Sequence, residues 1–396
     1  MIDNIAVVGA GQVAAVAART LRRRGFEGRI DIFGDEPHWP YQRPPLSKEY
    51  LTDDDESGLF LLTESWCARN DVHLRLATSV TAVRPGRVEL SDGWEIAASR
   101  VLIATGGAPR RLPGAAGARI HYLRTLDDAR RLRPALRCGA RILVIGGGFL
   151  GSEVAAAARS RGAEVVLVEA LAAPLAPVVG SELGAVCADL HRSEGVEVHL
   201  GEPVESVEET ADGVVVTTSR RRLEGDAVVV GIGMVPNTAI GQRSGLAVDN
   251  GIEVDEYCRT SMPDVFAAGD VANHFHPAYG RRVRVEHFDN ASKQAVVAVD
   301  NMLGRATVYD EPHWSWSDQY DHTLHHTGEA GDWDEVVVRG SASDRDFVAF
   351  FLRDGVLRAA FGIDRGSEIT AARALIGRAV PAHILKDEDV DLMEQV

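Results

Sequence analysis

The chain has 396 residues, 45% of them apolar, and a formal net charge of −16. That length accommodates two or three domains with sizeable cores, and the acidic balance disfavours nonspecific nucleic-acid binding, which needs cationic surface to release counterions. No apolar run reaches the roughly 18 residues of a membrane span, and Met1-Ile2-Asp3-Asn4 lacks the basic region of a signal peptide, so the expectation is a cytoplasmic protein with no membrane partner.

In chain order, the first predicted element is the strand Ile5-Ala6-Val7-Val8, which runs into Gly9-Ala10-Gly11-Gln12-Val13-Ala14. A helix is expected from Ala14 to Arg24, stopped by Gly25, and then a second strand, Arg29 to Phe33, which ends at Gly34-Asp35-Glu36. The same pattern returns at Ile142-Leu143-Val144-Ile145, with Gly146-Gly147-Gly148-Phe149-Leu150-Gly151, a helix from Ser152 to Arg161, the stop Gly162 and the strand Val165 to Val168 ending at Glu169. Gly9 and Gly146 suit a tight turn, and Gly11 and Gly148 let backbone amides approach a pyrophosphate. Gly151, or Ala14 in the first copy, allows close helix–strand packing. Asp35 follows Gly9 by 26 positions and Glu169 follows Gly146 by 23, near the roughly 20 expected of an acid that meets a ribose. Glu169 would repel a 2′-phosphate, which favours NADH over NADPH. Two complete copies point to two dinucleotides held for hydride transfer.

Between the copies, Val101 to Gly106 forms another strand-then-glycine stretch, and Gly107 to Gly117 has the Pro/Gly content of a linker. Ala227 to Gly233, then Asp264 to Asp270, repeat the strand-then-glycine pattern, and Ala291 to Leu303 has a helical pattern. From about residue 312 the composition shifts: Trp314, Trp316 and Tyr320 cluster, and the runs 335–339, 347–352 and 356–361 have strand character, which suggests a C-terminal α+β domain. Cys67, Cys138, Cys187 and Cys258 show no CxxC spacing, so all four are expected to be buried, inert thiols. His274, His276, His287, His325 and His326 have no trusted metal-ligand spacing and are expected to be structural. Trp314 and Trp316 are expected in the core.

The segments GDEPHWPYQRPPLSKEYL, ATGG, YLRTLDDA, VIGGGFLGSEVA, GIGMVPN, NGIEVDEYCRTSMPDVFAAGDVA, RVEHFDNA and WSWSDQY together resemble the FAD-dependent NADH:ferredoxin reductases of bacterial Rieske oxygenase and cytochrome P450 systems, of the putidaredoxin reductase and biphenyl dioxygenase reductase type. The resemblance covers essentially the full length. It implies an α/β protein with two Rossmann-like three-layer dinucleotide-binding domains plus a C-terminal α+β domain: FAD domain 1–110 and 240–311, NAD domain 111–239 inserted within it, and interface domain 312–396.

The resemblance also implies roles. For FAD, Gly9, Gly11 and Val13 line the pyrophosphate turn, and Asp35, with Glu36 beside it, takes the adenosine ribose. Arg43, Lys48, Val80 and Arg124 match flavin-contacting positions, and Ala104, Thr105 and Gly106 form a cofactor loop. Asp270 after Gly269 holds the ribitol chain, and Glu286, Phe288 and Trp316 match positions near the isoalloxazine. For NADH, Gly146, Gly148, Leu150, Gly151, Glu153, Glu169, Gly231 and Gly233 are implied. The catalytic pair would be Lys48 and Glu153, whose ion pair would link the flavin site to the nicotinamide site. Taken without the resemblance, Glu153 is an acid at a helix start and Lys48 a solvated lysine.

The implied reaction is electron transfer from NADH through FAD to a [2Fe–2S] ferredoxin, by a monomer or homodimer with no metal of its own. Alternatives are a rubredoxin reductase, or a flavoprotein like the apoptosis-inducing factor with mainly a binding role. The missing CxxxxC after the first strand–helix–strand unit separates the chain from disulfide reductases. The loop 40–48 contains no Cys, which separates it from peroxidases and water-forming oxidases of the same fold. One departure is Pro174-Leu175-Ala176-Pro177, where the family often carries an Arg near the NAD ribose phosphate. The cluster Arg281, Arg282 and Arg284 is either a docking patch or an ordinary solvated charge run.

Overall fold

The computed structural model describes residues 2–53, 55–329 and 331–396. The chain divides into two compact units, one of residues up to Gln42, Glu56–Ala108 and Val235–His313, the other of Arg43–Asp55, Pro109–Met234 and Trp314–Val396. The segment Arg43–Asp55, expected with the first stretch of chain, groups with the second unit.

In the first unit, five parallel strands lie in the order Val265–Ala267, Arg100–Ile103, Asn4–Val8, Arg29–Phe33 and Val72–Arg75. Ile5, Ala6, Val7 and Val8 are all buried, as a strand covered on both faces requires. The helix Gln12–Arg23 buries Ala14, Ala15, Ala17, Ala18 and Leu21, and these small side chains let it lie close to the sheet. It begins two residues before the sequence expectation, because Gly11 in an extended conformation is already its N-cap. Its stop is as expected, with Gly25 at φ +81°. The helix Phe288–Met302 shares the same core.

The second unit repeats the design with Glu197–Leu200, Glu164–Glu169, Arg141–Ile145, Ala227–Val230 and Ile120–His121, all parallel. Its helix Phe149–Ser160 starts right after Gly148, three residues before the expectation. The C-terminal residues form a five-stranded antiparallel sheet in the order Trp314–Gln319, His322–Gly328, Val356–Ile363, Asp346–Arg353 and Glu335–Ser341. One face packs on the helix Gly366–Leu375. The other meets Val179, Leu183, Cys187 and Leu190 of the helix Ala176–Ser193. Burial on both faces explains why Phe347 to Leu352 is a continuous apolar run rather than an alternating one. It also explains why this sheet and the preceding 109–234 stretch form one compact unit. Full burial of Phe347, Phe350, Phe351 and Phe361 contributes about 2–3 kcal/mol each.

Two expectations are corrected. Cys138 is exposed, while Cys67, Cys187 and Cys258 are buried; Cys138 lies in the loop just before the strand Arg141–Ile145, outside any apolar face. Trp314 is partly buried and packs against the core on the Gly366–Leu375 side, as expected, whereas Trp316 is partly buried and belongs to no core cluster among the described residues. The alternation is present, but the polar set Ser315, Ser317 and Gln319 is the more deeply buried. No helix among the described residues is long and apolar enough to cross a membrane.

Candidate active site

The first glycine turn is built by close backbone approach. Gly9 has φ +114°, and a Cβ there would lie 2.1 Å from the Ala104 carbonyl oxygen. Its N–H donates to Phe33 O at 2.8 Å. At Gly11 a Cβ would meet nothing within 4 Å, so the helix start is open to a ligand, with the first-turn N–H groups unsatisfied within the helix. Gly269, from far down the chain, comes so close to Val13 that a Cβ would sit 2.8 Å from its Cγ2. Gln294 Oε1 accepts the Gly269 N–H at 2.8 Å. The loop Ala104-Thr105-Gly106 is pinned by Asn237, which donates to Thr105 O at 2.8 Å and to Gly106 O at 2.9 Å. This cradle fits a pyrophosphate, and so the FAD expected here.

Of the other residues expected at FAD, Asp35 is exposed and Glu36 accepts from the Tyr41 hydroxyl at 2.6 Å. Val80 opens the strand Val80–Arg84, and Phe288 opens the helix Phe288–Met302. Glu286 is paired with Arg284 at 2.7 Å, and Arg284 also donates to Asp270 O at 3.3 Å. Arg282 is paired with Glu253 at 3.2 Å and donates to Val254 O and Asn273 O. The Arg281/282/284 cluster is therefore largely committed to its own surroundings. Arg43, Lys48, Arg124 and Trp316 belong to the second unit, where Arg43 Nη1 donates to Arg124 O at 2.7 Å.

The second turn repeats the first. Gly146 has φ +100°, with a would-be Cβ 2.3 Å from Gly231 O, and its N–H donates to Val168 O at 2.8 Å. Gly148 is open in the manner of Gly11, Gly233 has φ +91° in open space, and at Gly151 a Cβ would fall 1.9 Å from Gly146 O. Leu150 lies in the first turn of the helix. The Glu169 carboxylate accepts from Gly147 N at 2.6 Å and from Leu171 N at 2.7 Å, which fixes it at the strand end beside the turn. This is the donor-and-acceptor set that NADH needs: open amides for its pyrophosphate and a carboxylate for its ribose.

Lys48 and Glu153 are brought together. Lys48 Nζ lies 3.4 Å from Glu153 Oε1 and 3.6 Å from Asp318 Oδ2, and the lysine side chain is only 9% exposed. The ammonium also stands 5.0 Å from the Trp316 ring centroid, and Trp316 Nε1 donates to Asp318 Oδ2 at 3.1 Å. Glu153 is the fifth residue of its helix, past the first turn, so the helix dipole does not account for it. Its partners do: Ser47 Oγ donates to Oε2 and Ser317 Oγ donates to Oε1 at 2.8 Å. Burial pushes this carboxyl up from its ordinary value, against the pull of Lys48 and the two hydroxyls. Lys48 is therefore not a solvated lysine, and Glu153 is not a helix-start acid. Ser47, Ser317, Gln319 and Asp318 were not singled out from sequence; the available signal was the period-two run Ser315-Ser317-Gln319.

Among the described residues, His274, His276 and His313 are buried with ligand-type atoms within 4.8 Å of one another. Hydrogen bonding argues against a metal there. Gln294 spends its Oε1 on Gly269 N–H, so its amide nitrogen donates to His274 Nδ1 at 2.9 Å. His274 must then carry its proton on Nε2, and a protonated ring nitrogen is no ligand. Burial lowers its pKa to about 3, and His276 bonds Glu311 O at 3.0 Å. These bonds support a structural role for His274 and His276.

Comparison with known proteins identifies the family. Residues 3–295 match the family described as pyridine nucleotide-disulphide oxidoreductase, and residues 314–396 match the reductase C-terminal family. The ferredoxin–NAD(+) reductase component of the anthranilate 1,2-dioxygenase system of Burkholderia cepacia is 41% identical over 94% of this chain and 94% of its own. Putidaredoxin reductase of Pseudomonas putida is 37% identical over 99% and 96%. Among solved structures, the covalent putidaredoxin reductase–putidaredoxin complex matches with a TM-score of 0.95 at 37% identity, over 99% of this chain and 97% of that one. The ferredoxin reductase for the CYP199A2 system of Rhodopseudomonas palustris matches with 0.95 at 34%, over 99% of both chains.

Proposed function

The chain belongs to the pyridine nucleotide-disulphide oxidoreductase family, and from that premise we propose that it is the NADH-dependent FAD reductase of a [2Fe–2S] ferredoxin that serves a Rieske oxygenase or a cytochrome P450. The observation that carries the reading is the repeated turn: Gly9 under Ala104 O and Gly146 under Gly231 O, each followed by an open glycine at a helix start. FAD goes to the first turn, which Gly269-Asp270 completes, and NADH to the second, where Glu169 marks the ribose.

FAD, when bound, would supply two-electron acceptance from NADH and single-electron release to a one-electron acceptor. The chain's own residues bind, orient and tune. Gly11 and Gly148 leave amides clear for the two pyrophosphates. Glu169, held by Gly147 and Leu171, accepts ribose hydroxyls and repels a 2′-phosphate. Asp270 holds the ribitol chain. Val80 and Phe288 of the first unit, and Arg43, Lys48, Arg124 and Trp316 of the second, keep the roles toward a flavin that the resemblance implies for each; an ammonium such as that of Lys48 would offset negative charge on a reduced flavin. No protein group has to move a proton; the work is positioning and electrostatics. The 109–234 and 314–396 stretches keep separate tasks, NADH binding and acceptor docking. The protein is assigned to the cytoplasm as a monomer or homodimer.

The test is NADH-driven cytochrome c reduction by the purified yellow protein with a panel of [2Fe–2S] ferredoxins and a rubredoxin. Fast turnover with one of the ferredoxins is expected. A colourless protein that FAD cannot reconstitute, or turnover with the rubredoxin alone, overturns the reading.

A further inference from the structure

The carboxylate that pairs with Lys48 is held by hydroxyls whose protons are themselves directed. Glu153 is 7% exposed, and its two oxygens have different partners. Oε2 receives Ser47, and Oε1 receives both Ser317 at 2.8 Å and Lys48 at 3.4 Å. A serine has one proton to give. The Ser317 oxygen accepts from Gln319 Nε2 at 3.1 Å, so its proton is left for Glu153. The opposite amide orientation would draw that proton toward a neutral carbonyl and away from a carboxylate, the stronger acceptor. Ser317 and Gln319 are both fully buried, so water does not substitute for either.

We propose that Ser317, its hydroxyl turned by Gln319, is a positioning residue that keeps Glu153 ionised beside Lys48, and so sets the net charge that Lys48 presents to the flavin. The inference rests on the assignment of Lys48 made above. The geometry accounts for why two hydroxyls are spent on one buried acid. A single ammonium at 3.4 Å, shared with Asp318 at 3.6 Å, is a weak hold on a charge removed from water. Burial alone raises the Glu153 carboxyl toward protonation, and Ser47 and Ser317 oppose it together with Lys48. The charged groups around the pair are Lys48 from the 44–53 segment and Asp318 from the strand Trp314–Gln319. His325, across from Trp316 on the next strand, feels Asp318. Among the described residues, no charged group of the helix Ala176–Ser193 or of the parallel strands acts on Glu153.

The experiment follows two readouts on the FAD-loaded protein across pH: the rate of flavin reduction by NADH in stopped flow, and carboxyl protonation by infrared difference spectroscopy, with Glu153→Gln assigning the band. In Ser317→Ala the Glu153 carboxyl titration and the inflection of the rate profile both move up by about one pH unit. Gln319→Met moves them less, and Ser317→Thr, which keeps the hydroxyl, returns them toward the parent. An unmoved carboxyl titration in Ser317→Ala overturns the inference; if that variant does not fold, an unmoved titration in Gln319→Met does so. A shifted titration with an unmoved rate profile upholds the hold on Glu153 and instead overturns the assignment of Lys48 to the flavin.

Discussion

The two glycine turns superpose in design but trade side chains at one place. In the first, Ala10 follows the turn glycine and Gly34 comes just after the second strand; a Cβ on Gly34 would lie 2.6 Å from the Ala10 methyl. In the second, Gly147 follows the turn glycine and Glu169 ends the strand, its carboxylate on the Gly147 N–H. The register is the same in both, because Gly9 and Gly146 bond the carbonyls of Phe33 and Val168, the residues just before Gly34 and Glu169. One small volume beside the turn is filled by a methyl from one side or a carboxylate from the other. The turn itself serves the fold, and under the proposed function the choice of dinucleotide would lie in that exchange.

The largest expected effect tests the shared part. Gly146→Ala and Gly9→Ala combine a positive φ with a Cβ 2.3 Å or 2.1 Å from a backbone carbonyl oxygen. Neither neighbour is a flexible side chain, so a loss of more than about 4 kcal/mol is expected, read as insoluble protein or a collapsed melting temperature. A well-folded Gly146→Ala would break the equivalence of the turns. Next comes Lys48→Ala, which strands the buried Glu153 and lies wholly in the second unit. A loss of about 3 kcal/mol is expected, together with flavin reduction by NADH at least tenfold slower. Glu153→Gln should restore much of the stability without restoring the rate. An unchanged rate would make Lys48 a structural residue only.

A smaller effect tests the exchanged volume directly. Gly34→Ala should cost about 2 kcal/mol through overpacking against Ala10, and Ala10→Gly should relieve it. The double variant would show a coupling of about 1 kcal/mol or more in denaturant unfolding. Strict additivity would mean that the two positions do not share the space, and the comparison would lose its physical basis.

How much of this was legible in the sequence follows from where each signal lives. The turns were legible because a positive φ and a close carbonyl admit almost only glycine, which marks Gly9 and Gly146 in any reading. Helix starts were misplaced by two or three residues, since Gln12 and Phe149 carry no signal of their own and the capping is done by backbone at Gly11 and Gly148. The pairing of Lys48 with Glu153 came from family resemblance; nothing local in either segment specifies it. Ser317 and Gln319 were missed because Trp-Ser-Trp-Ser invites the assumption that tryptophan faces inward, whereas a buried acid on a neighbouring helix calls for hydroxyls there. The grouping of Arg43–Asp55 with the second unit was hidden for the same reason: it depends on contacts such as Arg161 Nη1 with Leu51 O at 2.8 Å, made across more than a hundred residues of chain.

The smallest effect bears on the choice of dinucleotide. Glu169→Gln keeps an acceptor for only one of the two amides, since Gly147 N bonds Oε2 and Leu171 N bonds Oε1, and it removes the charge that would face a 2′-phosphate. The ratio of kcat/KM for NADPH over NADH should rise about tenfold, equivalent to about 1.4 kcal/mol. Glu169→Arg should raise it further, while also lowering the melting temperature, because both amide donors then lose their acceptor. The effect stays small because the chain that follows Glu169 supplies no cation for the extra phosphate: Ala170 to Ala176 carries none. Removing repulsion is only half of a specificity change. A ratio that does not move in Glu169→Gln would remove the carboxylate from the ribose and leave it as a brace for the Gly147 turn, and the second turn would then differ from the first only in how it fills space.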